Sequence, residues 1–289
     1  MTGATGFLGG HFLRAAMRRG HRIVALRRPG STPRVPLESA PDWIEGDLDS
    51  DLTSSIKSCD AMVHLAAYGV SPQPCEWAEA LRQNVHLPAA LFESIVRTCG
   101  VENVVVAGSC TEYGLASTRY DEIPTSAPLE PVEPYATSKA AFSLFFRAFA
   151  SAHAISGTLL RPFHIYGEGQ YEGNFWPQLH RAARAGEDFR MSPGEQMRDF
   201  LEVKVAAELF VDAVENPAPP GEVRVENLGS GRPVTLAAFA RQEWEKLRAP
   251  GQLLLGALPY RAKEMMRFIP KLSDAMKERV KSLREATPR

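Results

Sequence analysis

The sequence has no apolar run approaching the roughly 20 residues that span a bilayer, and its N-terminus is glycine-rich rather than basic and then apolar. Neither a membrane-crossing helix nor a secretory leader is expected. Cysteine is scarce: Cys59, Cys75, Cys99 and Cys110 are the four in the chain, scattered and without a CxxC pair. That spacing does not suit a disulfide framework, so reduced thiols, a cytoplasmic location and no metal site are the expectation. An excess of either charge is missing too. A formal net charge of -1 supplies no basic field for nucleic acid or an anionic membrane surface. Internal repeats and low-complexity blocks are absent.

What is present is an ordinary globular composition, 44% hydrophobic and 23% charged, over 289 residues. That is enough chain for one large α/β domain or a domain with a smaller lobe. Short β-rich runs at residues 22–26, 61–67 and 104–107 alternate with helical segments, which predicts parallel strands joined by crossover helices. Residues 10–19 read as a helix ended by Gly20, a second helix should follow Pro74 and carry Asn84, and residues 135–153 form a third. On that third helix Phe142, Phe145, Phe146 and Phe149 recur at helical spacing, a face packed on the sheet. Residues 162–176, 191–200 and 259–270 read as irregular, with an amphipathic helix at 178–185 and a charged helical tail at 273–285. Long irregular stretches usually carry function.

Three local patterns carry chemistry. Thr2-Gly3-Ala4-Thr5-Gly6-Phe7-Leu8-Gly9 has the spacing GxxGxxG directly before a helix, which lets backbone amides approach a pyrophosphate; by itself it also fits a simple tight turn. Tyr135-x-x-x-Lys139 puts a phenol and an ammonium on one helix face. A nearby cation favours phenolate, so the tyrosine pKa is expected to fall towards the operating range, suiting proton transfer; a plain surface pair is the alternative. Arg27 and Arg28 stand where sites for NAD usually carry an acid for the ribose 2′-hydroxyl. A guanidinium can instead bind a 2′-phosphate, which predicts NADP(H) over NAD(H) unless both arginines are merely solvated.

Together with Gly46-Asp47-Leu48, Val63-His64-Leu65-Ala66-Ala67, Ser109 and Arg198-Asp199-Phe200, these patterns occur in the order that resembles the extended short-chain dehydrogenase/reductases of the NAD(P)-dependent epimerase/dehydratase family. The resemblance runs along almost the whole chain. It implies a doubly wound parallel α/β sheet, a Rossmann core at residues 1–162 with 196–232 returning to it, and a smaller C-terminal lobe at 163–195 and 233–289 that binds a nucleotide sugar. The family's first strand should precede Thr2, so that strand is expected to be missing from this chain, either because the true start lies upstream of Met1 or because the chain is truncated.

The resemblance also implies roles. Ser109, Tyr135 and Lys139 would be catalytic, Ser109 holding the reacting oxygen and Tyr135 acting as acid or base. The cofactor would meet Gly3, Gly6, Phe7, Leu8, Gly9, Arg27, Arg28, Asp47, Leu48, Leu65, Ala66, Ala67, Asn84, Tyr135, Lys139 and Pro162; Asn84 also matches a family asparagine that braces the adjoining helix, a structural role standing beside the catalytic one. Tyr68, Thr111, His164, Arg198 and Arg261 would meet the substrate, Arg198 clamping its diphosphate unless it pairs structurally with Asp199. His164 stands where the family usually has asparagine and Lys204 where aspartate is common. Sugar 4,6-dehydratases carry Asp-Glu after the catalytic hydroxyl residue, but here Cys110-Thr111 follows Ser109, which sets dehydration aside and leaves Cys110 as a small buried filler.

The resemblance is nearest to nucleotide-sugar 4-ketoreductases, through Tyr68-Gly69-Val70 and Leu258-Pro259-Tyr260-Arg261 with Glu264 and Met266. The expected reaction is NADPH-dependent reduction of a 4-keto-6-deoxyhexose. A 4-epimerase that keeps NAD bound, or a non-catalytic dinucleotide sensor, stays open, and a homodimer is a family expectation.

Overall fold

The computed structural model describes residues 1–50, 52, 59–70, 75–262 and 264–286, without the side chain of Cys99. Pro74, expected to precede the second helix, lies outside the described residues. The chain opens with α1 (Phe7–Arg18), β1 (Val24–Arg27), β2 (Asp42–Glu45), β3 (Ala61–His64), α2 (Trp77–Leu81), α3 (Leu87–Cys99) and β4 (Asn103–Ala107). It continues through α4 (Pro134–Ala152), β5 (Ser156–Pro162), β6 (His164–Tyr166), α5 (Phe175–Ala185), β7 (Phe189–Met191), β8 (Met197–Arg198) and β9 (Phe200–Glu202). The remainder is α6 (Val203–Glu215), β10 (Val223–Leu228), β11 (Val234–Thr235), α7 (Leu236–Lys246), β12 (Leu253–Leu255), β13 (Arg267–Phe268) and α8 (Asp274–Ala286).

β3, β4, β5 and β10 form a parallel sheet in the order β10-β5-β4-β3, and β1 pairs in parallel with β2. Two residues stitch these groups together. Met1 O accepts from Leu26 N at 2.9 Å, Thr2 N donates to Val63 O at 3.0 Å, and Leu65 N donates to Thr2 O at 3.3 Å. The expected first strand is therefore not wholly missing, because Met1 and Thr2 occupy its place between β1 and β3. Strand order reverses at this point, and open α/β sheets bind their ligands at such a crevice.

Both sheet faces are covered. On one, Phe12, Ala15 and Ala16 of α1 and Leu209 and Phe210 of α6 pack with Val105 and Leu160. On the other, the expected aromatic stripe of α4 meets Phe92, whose ring centroid lies 5.8 Å from Phe142 and 6.1 Å from Phe146. Gly20, at φ +86°, turns the chain after α1. α5 and α7 enclose a separate apolar cluster around Leu179, Ala240 and Trp244. Within the stretches expected to be irregular lie β6, β8 and β13. They are short, and β8 pairs with distant β11 and β13, so no local periodicity announces them. No helix among the described residues is long and apolar enough to cross a membrane.

Candidate active site

Thr2 leads directly into the glycine turn. Gly3 has φ +72°, a conformation L side chains rarely adopt, and a Cβ there would lie 2.5 Å from Ala66 N. A Cβ at Gly9 would lie 2.0 Å from Gly3 O, so this turn packs backbone against backbone. Gly6 caps α1 with no side-chain hydrogen bond, and no acid stands in the helix's first turn. The amides at this end of the helix are thus left for an anion by both sterics and charge. The cradle fits a pyrophosphate, and the backbone of Leu65 and Ala66 lies against Gly3. Asp47 and Leu48 follow β2, where Asp47 Oδ1 accepts from Leu48 N at 2.8 Å.

Asn84 is buried and braces two parts of the site: its Oδ1 accepts from Tyr68 N at 2.7 Å, while Nδ2 donates to Tyr68 O and to Ser138 Oγ, each at 2.9 Å. It stands in a widened π-turn, Arg82–His86, between α2 and α3.

Ser109 ends β4 and starts a short 3-10 turn, its Oγ 2.8 Å from Thr111 Oγ1. Tyr135 and Lys139 sit in the first turns of α4, which Pro134 opens. The Ser109 side chain stands close enough to the Tyr135 phenol to favour its ionised form, so strand end and helix start converge. The expected acidification does not follow. Burial pushes the phenol's pKa up, outweighing the downward pull of Ser109, and the neighbouring Cys110, Glu112 and Cys75 push the same way as burial. The ammonium of Lys139 is instead held by Ala107 O at 2.6 Å, with burial pushing its own pKa down to about 8 against the pull of Glu112.

Behind Ser109 lies a polar network that the sequence did not announce. Glu112 Oε1 accepts from Ser109 N at 2.7 Å, and Oε2 accepts from Arg161 Nε and Ser143 Oγ, each at 2.8 Å. Arg161 Nη1 donates to Tyr113 OH at 3.0 Å, and Tyr113 OH donates to Asn227 Oδ1 at 2.6 Å. The one local signal was Ser109 followed three residues later by Glu112, the spacing of a capping box, and the structure forms that box. Cys110 is buried, as the filler reading expected.

On the substrate side, Arg198 pairs with Glu264 at 2.7 Å and not with Asp199, which accepts from the backbone N–H groups of Ser230 and Gly231. His164 lies in β6, not in a loop; its Nδ1 is buried without a hydrogen-bond partner, and burial with the nearby Arg198 pushes its pKa down to about 3. It is a neutral ring. Tyr68 and Arg261 are exposed, Lys204 lies 3.9 Å from Glu202, and Pro162 ends β5. Arg27 is not simply solvated, since it donates to Glu45 Oε1 at 2.9 Å, whereas Arg28 is exposed.

A glycine turn at the sheet's crossover point and a Ser-Tyr-Lys constellation on neighbouring elements define an extended short-chain dehydrogenase/reductase. The sequence model of the NAD dependent epimerase/dehydratase family matches residues 1–229, and the chain belongs to that family. It is 24% identical to CDP-abequose synthase of Salmonella muenchen over 92% of this chain and 86% of that protein. It is 23% identical to dTDP-6-deoxy-L-talose 4-dehydrogenase (NAD(+)) of Aggregatibacter actinomycetemcomitans over 82% of this chain and 85% of that one. Its fold matches the UDP-N-acetylglucosamine 4-epimerase from Methanobrevibacter ruminantium M1 with a TM-score of 0.84 at 22% identity, over 99% of this chain and 97% of that one.

Proposed function

We propose that the protein reduces the C4 keto group of a nucleotide-linked 4-keto-6-deoxyhexose, with NADPH as reductant, in deoxysugar biosynthesis. The observation that carries this reading is the state of Tyr135. Burial favours the protonated phenol, and a reduction consumes a proton at the carbonyl oxygen. The names of two relatives, CDP-abequose synthase and a 4-dehydrogenase of dTDP-6-deoxy-L-talose, point to the same class of substrate. Cys110 and Thr111, where a dehydratase would need carboxylates, favour redox chemistry without elimination.

The dinucleotide, when bound at the glycine turn, supplies a hydride to C4. Tyr135 gives its proton to the oxygen that gains the electron pair, and Ser109 orients that oxygen. Lys139 is available to hold the ribose and to stabilise the phenolate left after proton transfer, which solvent then reprotonates. Arg198 meets the diphosphate, exchanging part of its contact with Glu264. Arg27, at the end of β1, favours a 2′-phosphate.

Purified protein mixed with NADPH and dTDP-, GDP-, CDP- or UDP-linked 4-keto sugars should consume NADPH, followed by its absorbance, with at least one of them. A 4-epimerase is the second reading, favoured by the match to the Methanobrevibacter epimerase along nearly the whole chain. NAD retained through purification, with sugar interconversion and no net NADPH oxidation, would establish it instead; binding without any turnover would revive a sensor.

A further inference from the structure

Arg27 ends β1 and Glu45 ends β2, and the parallel register sets the two residues directly opposite each other. β1 neighbours Met1, which leads through Thr2 into Gly3, and the chain beyond β1 returns to the glycine turn where Arg34 N donates to Thr5 O at 3.2 Å. The pair therefore stands beside the dinucleotide cradle. Two contacts restrain the guanidinium, and they do so unevenly. Its Nη2 donates to Glu45 Oε1, its central carbon lies 5.0 Å from the centroid of the Trp43 ring, and its Nε is buried without a hydrogen-bond partner. Trp43 and Glu45 come from the same strand, two residues apart, so β2 supplies both the platform under the arginine and the anion at one edge of it.

We propose that Glu45 sets the cofactor preference of this protein, by competing for the Arg27 guanidinium with a 2′-phosphate while offering an acceptor to a 2′-hydroxyl. The inference rests on the NAD(P)-dependent reading of the glycine turn. A 2′-phosphate brings nearly two negative charges close to a carboxylate that already holds one edge of the arginine, and like charges repel. A 2′-hydroxyl meets no such penalty and can donate to the same carboxylate. With the Arg27 side chain 29% and Glu45 54% exposed, the existing pair is weakly held, so phosphate can share the arginine. Preference for NADP is thereby reduced rather than abolished, and the protein accepts both dinucleotides.

The test needs no sugar substrate. Dissociation constants of NADP+ and NAD+ are measured by titration calorimetry on the full chain, wild type and Glu45→Gln, at low and high salt, with circular dichroism confirming the fold. Glu45→Gln should move the affinity ratio towards NADP+ by about tenfold, and less at high salt. A ratio that stays put or moves towards NAD+ while both dinucleotides bind overturns the inference but not the enzyme class. Wild-type protein that favours NAD+ overturns the NADPH reading alone, provided the substitution still shifts the ratio, and that shift supports the role of Glu45. Binding of neither dinucleotide overturns both.

Discussion

Arg161 Nε donates to Glu112 Oε2 at 2.8 Å, with the two side chains only 3% and 0% exposed. The pair sits behind Ser109, whose backbone N–H the same carboxylate accepts. Removing one member of a buried ion pair strands the other charge, at a cost of about 3–5 kcal/mol, whereas replacing both can be nearly neutral. Glu112→Gln and Arg161→Met should each be strongly destabilised in urea denaturation, and the double variant less so than the sum. Simple additivity would show that the charges are not coupled.

Tyr135→Phe removes the proton donor and little else. We predict a loss on the order of 10²–10⁴ in the rate of hydride transfer, with an unchanged melting temperature and unchanged affinity for the dinucleotide. A rate near that of the wild type in single-turnover absorbance measurements would remove Tyr135 from the chemistry.

Lys139 is a buried cation whose pKa falls from the ordinary 10.5 to about 8. Between those two values the unfolded chain keeps a proton that the folded chain has released, so this residue makes stability rise with pH through that window. Below it, folding carries the full cost of a desolvated charge. Lys139→Met should therefore melt higher than wild type at about pH 7, with the difference shrinking by about pH 9.5, while activity is lost. Thermal melts at the two pH values check the sign.

Arg198 contacts Glu264 through Nη2 and the Met197 carbonyl through Nη1. If it also meets the substrate diphosphate, Arg198→Gln should raise the KM for the nucleotide sugar about tenfold to a hundredfold, the range set by one charge-assisted hydrogen bond. Dinucleotide affinity should not change. Steady-state kinetics with an unaltered KM would place the phosphate elsewhere.

Much of this site was legible because its members lie in short local patterns. The glycine turn and Tyr135 with Lys139 are set by spacing along a single segment, where one turn of helix or one tight bend decides the geometry. The phenol's acidity was read in the wrong direction for the same reason. Sequence spacing brings Lys139 one helical turn from Tyr135, but burial and the turn of the ammonium towards Ala107 O are properties of the assembled fold.

The residues alone announced parallel strands joined by crossover helices, the glycine turn at the N-terminus of α1 and the Tyr135–Lys139 pair on one helix face, while the doubly wound class and the role of Ser109 came with the family resemblance. The first three follow from periodicity, glycine placement and helical spacing, which local sterics and hydrophobic burial set. Only the tertiary structure decided which charges became partners: Arg27 with Glu45, Arg198 with Glu264 rather than Asp199, and Glu112 with Arg161. Such pairs join segments far apart in the chain, and their strength depends on how much water the packed elements exclude. Neither distance nor desolvation is encoded in the spacing of residues along one strand or helix.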